Sequence, residues 1–248
     1  MKQSNFPELD TLLSKKITNI REFKKDQEGV WTLVDSAYLV SRMMIRAALE
    51  DGLPDSVTVH RFMMWQTVLE YQMESFFLVI SRRLDEGLAI LRMAAELARD
   101  IVRIGNDQKR LDTWLNRAMD KKSYRAEFRF RDADGIEAHV HRLYNLASEF
   151  GVHGHSTTST AMTAQRSSPD GRFVALGVPD LEVYKWLQIW LASFFPTQEL
   201  CLRSMTRGKA LAEAEAHYRE MQVAFEAAFK TFREALRNQN ADISARLH

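Results

Sequence analysis

Apolar residues recur at three- and four-residue steps through most of this chain, the spacing that places them on one face of an α-helix. The cleanest case runs from Leu84 to Val102 and stops just before Gly105. The last long case runs from Leu211 to Leu236. The pattern predicts an all-α fold, a multi-helix bundle of about seven or eight helices.

The stretch 157–177 departs from this helical pattern. It is rich in Ser and Thr and leads into a Ser-Pro-Asp-Gly sequence at 168–171. Pro fixes the first φ of a β-turn and Gly accepts a positive one, so this sequence is typical of a turn between strands. We therefore expect one small β-hairpin insertion near 157–177. The segment 181–195 that follows is apolar on nearly every face, which predicts a buried helix that ends at Pro196.

The chain length fits a single helical domain. At 248 residues the chain can bury a large core without metal ions or disulfides. We expect one domain over 1–248, with an N-terminal helical arm at 1–29, a core bundle with the hairpin at 30–207, and a long C-terminal amphipathic helix at 208–240. The segment 121–135 is predicted as a charged link. Because the second face of the C-terminal helix is charged, it is expected to cross the bundle surface or to pair with a second copy, as in a homo-oligomer.

Composition and charge narrow the classes of function. Hydrophobic residues make up 46% of the chain and charged residues 27%, which is typical of a globular protein. With 34 Lys and Arg against 33 Asp and Glu, the net charge of +1 creates no global field that attracts nucleic acid or a membrane surface. The single cysteine, Cys201, cannot form an internal disulfide, and no apolar run reaches the roughly 20 residues of a membrane span. We therefore expect a soluble, cytoplasmic protein without membrane contact.

Polar residues gather beside the apolar face of two predicted helices. Arg92 and Glu96 lie four residues apart, so they share one face of their helix. The predicted helix 136–150 carries a matching polar stripe and leads into a glycine-bounded segment that contains His153. We predict that these stripes meet in a ligand-binding polar pocket. Its candidate residues are Arg92, Glu96, His141, Tyr144, Ser148 and His153. A purely structural network of hydrogen bonds is the alternative, since buried polar groups need partners.

A metal site is a second interpretation of the same region. His153 and His155, with Glu96 or Glu149, offer nitrogen and oxygen ligands suited to zinc or iron, which would make the protein a metal-dependent hydrolase or nuclease. Glu149 and His153 have helical spacing, but Gly151 interrupts the helix between them. The sequence also has no glycine-rich phosphate loop and no nucleophile elbow, so it indicates no cofactor and no catalytic residues, and whether the protein is an enzyme stays open.

A basic segment at 109–131 supports a third interpretation. Lys and Arg are frequent there, and Tyr124, Phe128 and Phe130 are interleaved with them. Such a mixture can hold a single strand through phosphate contacts and base stacking, as in a nucleic-acid-binding accessory protein. Acidic residues in the same segment make an ordinary solvated surface the alternative.

The order of these motifs resembles a family of helical bacterial proteins that is known as a domain of unknown function. The resemblance rests on Leu91-Arg92-x-x-x-Glu96 followed by Tyr144-Asn-Leu-Ala-Ser148-x-x-x-x-His153, and it covers about residues 30–200. It implies a helical bundle, and related families imply a bacterial defence or stress context. Some of those families contain HEPN-type ribonucleases, in which an Arg precedes a His by five to seven positions. No His in this sequence has an Arg at that distance, so the motif is absent.

The sequence thus leads to one main prediction and two alternatives. The main prediction is a helical-bundle protein whose polar pocket binds a small molecule or a protein partner. The alternatives are a metal-dependent hydrolase or nuclease acting at the same pocket and a nucleic-acid-binding accessory protein.

Overall fold

Helices account for nearly all of the residues that the computed structural model describes, which are 7–130, 135–151, 166–167, 173–174, 180–205 and 208–246. Within these ranges there are nine helices. Their bounds are α1 Pro7–Asp26, α2 Glu28–Glu50, α3 Ser56–Ile80, α4 Leu84–Ile104, α5 Gln108–Leu115, α6 Lys121–Glu127, α7 Ile136–Gly151, α8 Asp180–Arg203 and α9 Lys209–Arg246. The all-α prediction is confirmed, whereas the predicted number of seven or eight helices is too low.

The additional helix is α6, which lies in the segment predicted as a charged link. Asp120 precedes it, and its side chain accepts a hydrogen bond of 3.0 Å from the backbone N–H of Ser123. This contact satisfies one of the free N–H groups at the start of the helix, so a short and polar sequence becomes helical. The prediction missed this helix because its seven residues show too little apolar periodicity.

The predicted hairpin over 157–177 is not seen as such. The described residues contain only two strands of two residues, β1 Arg166–Ser167 and β2 Phe173–Val174. They pair antiparallel, with Arg166 opposite Val174 and Ser167 opposite Phe173. The other residues of 157–177 lie outside the described ranges, and within those ranges the β structure is this one short pairing.

The helix α8 continues through Pro196 to Arg203, so the predicted helix end at Pro196 is wrong. Proline removes one intrahelical hydrogen bond, a cost that packing on both sides can offset. Here the residues on either side of the proline are buried, and the side chain of Gln72 in α3 donates to the carbonyl of Phe194 at 3.3 Å. These tertiary contacts therefore stabilise the helix on both sides of Pro196, so that it continues beyond the proline.

A buried polar network joins α3 to α8 in the centre of the core. The indole N–H of Trp65 donates to Oε1 of Gln198 at 2.7 Å, and the indole N–H of Trp190 donates to the carbonyl of Gln72 at 2.7 Å. The two amides also contact each other, with Nε2 of Gln198 donating to Oε1 of Gln72 at 2.6 Å. Because these groups are paired, the network fixes one relative position of the two helices.

The helix α4 lies at the centre of the bundle and packs against α3, α7 and α8. It contacts α3 closely near Gly87, whose carbonyl accepts a hydrogen bond of 2.7 Å from the hydroxyl of Ser75. The long helix α9 packs against α2 and begins where Asp51 accepts the backbone N–H groups of Ala210 and Leu211, both at 2.8 Å. In the described part of the chain, no helix is long and apolar enough to cross a membrane.

Candidate ligand-binding cleft

An open cleft of about 520 Å³ lies between α3, α4 and the segment that contains α5 and α6. Its volume falls in the range of about 300–1,000 Å³ that is usual for small-molecule sites. The lining side chains are His60, Met63, Met64, Thr67, Tyr71, Met93, Glu96, Leu97, Asp100, Trp114, Arg117 and Tyr124. Most of this surface is apolar or aromatic, and a few polar groups interrupt it.

The cleft exists because α3 and α4 each turn a second, partly exposed stripe toward it. On α4 the stripe runs through Met93, Glu96, Leu97 and Asp100, at the three- and four-residue spacing of one helix face. The end wall is formed by α5 and α6, and a short turn at Gly105 and Asn106 connects α4 to α5. Arg61 of α3 holds this turn in place, because its Nη1 donates to the carbonyl of Gly105 at 2.8 Å and to Oδ1 of Asn106.

Two methionines form the rim of the cleft. The side chains of Met63 and Met93 are 58% and 42% exposed, which is high for large apolar residues. Methionine is unbranched and polarizable, so it adapts to differently shaped apolar partners. Exposed methionines at the mouth of a cavity are therefore typical of a binding surface rather than of a packed core.

Asp100 forms the polar floor of the cleft and is only 3% exposed. Its Oδ1 accepts two hydrogen bonds from Arg99, at 2.8 and 2.6 Å. Its Oδ2 accepts the indole N–H of Trp114 at 2.9 Å and the hydroxyl of Tyr124 at 2.8 Å. Both oxygens are thus engaged, and the carboxylate positions two aromatic walls of the cleft instead of offering a free base.

Burial shifts the pKa values of Asp100 and Tyr124. Removal from water raises the pKa of Asp100 above its ordinary value, although the Arg99 charge and the hydrogen bonds to the carboxylate act in the opposite direction. Burial and the adjacent Asp100 charge also raise the pKa of Tyr124 well above the ordinary tyrosine value, so its hydroxyl keeps its proton and remains a donor.

Glu96 is the lining carboxylate that keeps an open oxygen. Its Oε1 accepts both hydrogen bonds from Arg92, from Nε at 3.2 Å and from Nη2 at 3.0 Å. Its Oε2 receives no hydrogen bond from the part of the chain that the structure describes. Burial alone would lower the pKa of Arg92, but the hydrogen bonds and charge of Glu96 outweigh that effect and raise it.

Two further polar groups have defined roles at the cleft. Nδ1 of His60 lies 2.7 Å from the carbonyl oxygen of Ser56. Because a carbonyl only accepts, Nδ1 carries the proton, and in the neutral ring Nε2 is an acceptor. The guanidinium of Arg117 lies over the ring of Trp114, 3.8 Å from its centre, and its Nη1 donates to the Trp114 carbonyl at 3.0 Å.

The structure brings four of the six predicted pocket residues together. Arg92 pairs with Glu96, and its guanidinium lies 5.3 Å from the ring centre of Tyr144. Phe130 lies 5.1 Å from the ring of Tyr144 and stacks on His141 at 4.7 Å. These side chains pack on one another around Phe130 and do not line the cleft, except for Glu96, which faces it.

The remaining predicted residues have different outcomes. Ser148 lies on α7, and its buried hydroxyl oxygen has no hydrogen-bond partner among the described residues. His153 and His155, the proposed metal ligands, lie outside the described residues. Among the residues that are described, no group of three or more His, Cys, Asp or Glu side chains is arranged to hold a metal ion.

Of the aromatic residues Tyr124, Phe128 and Phe130 of the basic segment, Phe128 is buried, whereas Tyr124 and Phe130 are half-buried. Phe128 is fully buried, and its ring stacks on Tyr124 at a centre distance of 5.0 Å. Phe130 is covered on another side by the guanidinium of Arg99, 5.0 Å from its ring centre. These packing contacts reduce the ring surface that is available for stacking nucleic-acid bases.

Most of the cleft residues were missed by sequence reasoning. One signal was available on α4, because Met93 and Leu97 form an apolar stripe beside the main one and Asp100 interrupts it. The contribution of Trp114 and Arg117 could not be found in this way, since it depends on how α5 folds back on α4. Periodicity reports the faces of one helix and carries no information about that turn.

Comparison with known proteins gave no matching family model, no matching curated protein and no matching solved structure. This outcome is consistent with the expected membership in an uncharacterised family. The correspondence of the Arg92, Glu96, Tyr144 and Ser148 motifs to such a family stays a prediction.

Proposed function

We propose that this protein binds a small, mainly apolar organic molecule in the cleft between α3, α4 and the α5–α6 segment. The observation that carries the proposal is the lining itself: three methionines and three aromatic rings around a volume of about 520 Å³. Burial of apolar ligand surface against such a lining supplies most of the affinity in sites of this kind.

The polar groups of the cleft favour binding over catalysis. Asp100 is saturated with hydrogen bonds, and the hydroxyl of Tyr124 is held by that carboxylate. Neither group is free to move a proton. Among the described residues, the open acceptors of the lining include Oε2 of Glu96 and Nε2 of His60, which suit orientation of a bound molecule through its hydrogen-bond donors. The metal-dependent alternative depends on His153 and His155, and no described contact favours it.

A neutral fluorescent probe, N-phenyl-1-naphthylamine, tests the proposal without knowledge of the natural ligand. Wild-type protein is expected to bind it saturably with enhanced fluorescence. The variant Thr67→Trp places a large ring in the cleft and should weaken binding about tenfold or more, since it removes volume that the probe needs.

The matched control is Thr231→Trp. The Thr231 hydroxyl donates to the carbonyl four residues earlier, as that of Thr67 does, but it lies on the exposed face of α9 and far from the cleft lining. This variant should bind the probe as the wild type does. Equal binding by Thr67→Trp and the wild type, with both folded by circular dichroism, would show that the probe occupies another place and that the proposal is wrong.

A further inference from the structure

The wall of the cleft that consists of α5 and α6 is basic. Between residues 108 and 127 there are six Lys and Arg and three Asp and Glu. The excess is on the surface, because the side chains of Arg117, Lys121, Lys122 and Arg125 are exposed. The sequence predicts nucleic acid as one partner of this charge, but Phe128 of the segment is buried and the hydroxyl of Tyr124 is held by Asp100. The charge therefore needs another explanation.

The negative charges of the lining are already balanced. Asp100 is paired with Arg99 at 2.6 Å, and Glu96 is paired with Arg92 at 3.0 Å. Arg117 is different, since no carboxylate of the described residues lies within ion-pair distance of it. Among the lining residues it is thus the cation whose charge remains uncompensated.

The geometry of Arg117 suits recognition of an anion. Stacking on Trp114 and the hydrogen bond from Nη1 to the Trp114 carbonyl hold the guanidinium in place. Trp114 is itself held by its indole hydrogen bond to Asp100. Nε and Nη2 of Arg117 make no hydrogen bond within the described part of the chain. A guanidinium fixed by its neighbours with two free donors matches the two oxygens of a carboxylate.

We infer that the cleft selects amphiphilic anions, in which an apolar chain carries a carboxylate, and that Arg117 binds the carboxylate. The inference rests on the proposed function, because the apolar chain must occupy the cleft. The basic wall raises the local concentration of the anion, the methionine rim and Leu97 contact its chain, and Arg117 fixes the charged end at the exposed side.

Displacement of N-phenyl-1-naphthylamine by three ligands of equal chain length tests this selectivity at neutral pH. The ligands are octanoate, octan-1-ol and octylamine. Octanoate is expected to displace the probe at about fivefold lower concentration than octan-1-ol, the size of effect that one partly exposed ion pair produces. Octylamine should displace the probe least effectively of the three ligands. High salt should reduce the difference, since about 1 M salt screens charges beyond about 3 Å.

The variant Arg117→Gln should make octanoate and octan-1-ol equally effective, with each displacement referred to the variant's own measured affinity for the probe. Arg233→Gln is the matched control, because Arg233 also lies over an aromatic ring, that of Phe229 at 5.7 Å, but on α9. It should keep the wild-type preference. Failure of the wild type to bind the probe would overturn the proposed function and this inference together.

Other outcomes overturn the inference alone. They are probe binding with no preference for octanoate, a preference for octylamine, or a preference that survives in Arg117→Gln. Displacement by a single-stranded oligothymidylate at lower concentration than octanoate would also overturn it and would assign the basic wall to nucleic acid.

Discussion

The two ends of the α3–α4 helix pair differ in what lies beside the helices, a close contact at Gly87 or the cleft. At one end Gly87 lies against α3, so close that a Cβ there would be 2.9 Å from Cγ2 of Val79 and 3.2 Å from the Ser75 carbonyl. Toward the other end, Met63 of α3 and Met93 and Asp100 of α4 line the cleft. Small residues let the axes of two helices approach closely, whereas large side chains between helices require a greater separation.

The difference between the two ends shows how a bundle can combine rigidity with an open site. The closed end is held by packing and by the hydrogen bond from Ser75 to Gly87. At the open end, the network of Arg99, Asp100 and Tyr124 links α4 to α6. Each end can therefore be weakened separately, and the consequences should differ.

The largest effect is expected from Asp100→Ala at the open end. This change leaves the guanidinium of Arg99 buried without its partner and removes the acceptor of Trp114 and Tyr124, so we expect a loss of about 3–5 kcal/mol in the free energy of unfolding. Urea unfolding followed by tryptophan fluorescence measures it. The control is Asp112→Ala, since Asp112 is exposed on α5 and should change stability by less than about 0.5 kcal/mol. Similar values for both variants would mean that the network does not anchor the open end.

The closed end is tested by Gly87→Ala, with Gly29→Ala as its control. Both glycines are within helices, but a Cβ on Gly29 meets nothing within 4 Å. Helix propensity alone should make Gly29→Ala more stable by about 0.5–1 kcal/mol. Gly87→Ala should instead lose about 1–2 kcal/mol, because overpacking exceeds that gain.

Thermal or urea unfolding of the two alanine variants gives the comparison directly. If Gly87→Ala were stabilised as much as Gly29→Ala, the close approach of α3 and α4 would be absent in solution. Probe binding should be unchanged in both variants, because neither residue lines the cleft.

A smaller effect should appear in the pH dependence of stability. Burial raises the pKa of Asp100 above its ordinary value of 3.8, so the unfolded chain loses this proton at lower pH than the folded protein does. The contribution of this group to stability is therefore highest below about pH 3.8 and falls as pH rises through the folded-state pKa. The test is the unfolding free energy of the wild type minus that of Asp100→Asn, measured as a function of pH. We expect this difference to fall as pH rises, and an increase with pH would show that the pKa of Asp100 is lowered instead.

Sequence periodicity predicted the features of single helices better than the contacts between helices. The buried stripe through Leu88, Leu91 and Ala95 could be predicted from its spacing, because residues three or four positions apart lie on the same face of a helix. The pairing of Arg92 with Glu96 could also be predicted, since these residues lie four positions apart on one helix. These features belong to a single helix.

The cleft was not predictable in the same way. It depends on contacts between residues that are distant in sequence, such as the hydrogen bond from Arg61 to Gly105 and the one from Trp114 to Asp100. No pattern in the sequence indicates that Asp100 and Arg99 are buried. Only the fold shows that both side chains are buried and that they support aromatic walls.

The smallest effect on stability is expected from replacing the rim methionines Met63 and Met93 by leucine. Both side chains are largely exposed, so the double variant should change the free energy of unfolding by less than about 0.5 kcal/mol. Affinity for N-phenyl-1-naphthylamine should nevertheless fall about twofold to threefold, because branched leucine adapts less well to a ligand than methionine. Met43→Leu is the control, since Met43 is 51% exposed on α2 and lies outside the cleft. An equal loss of affinity in the control would mean that the adaptable rim contributes nothing specific, and the open end would then differ from the closed end in packing only.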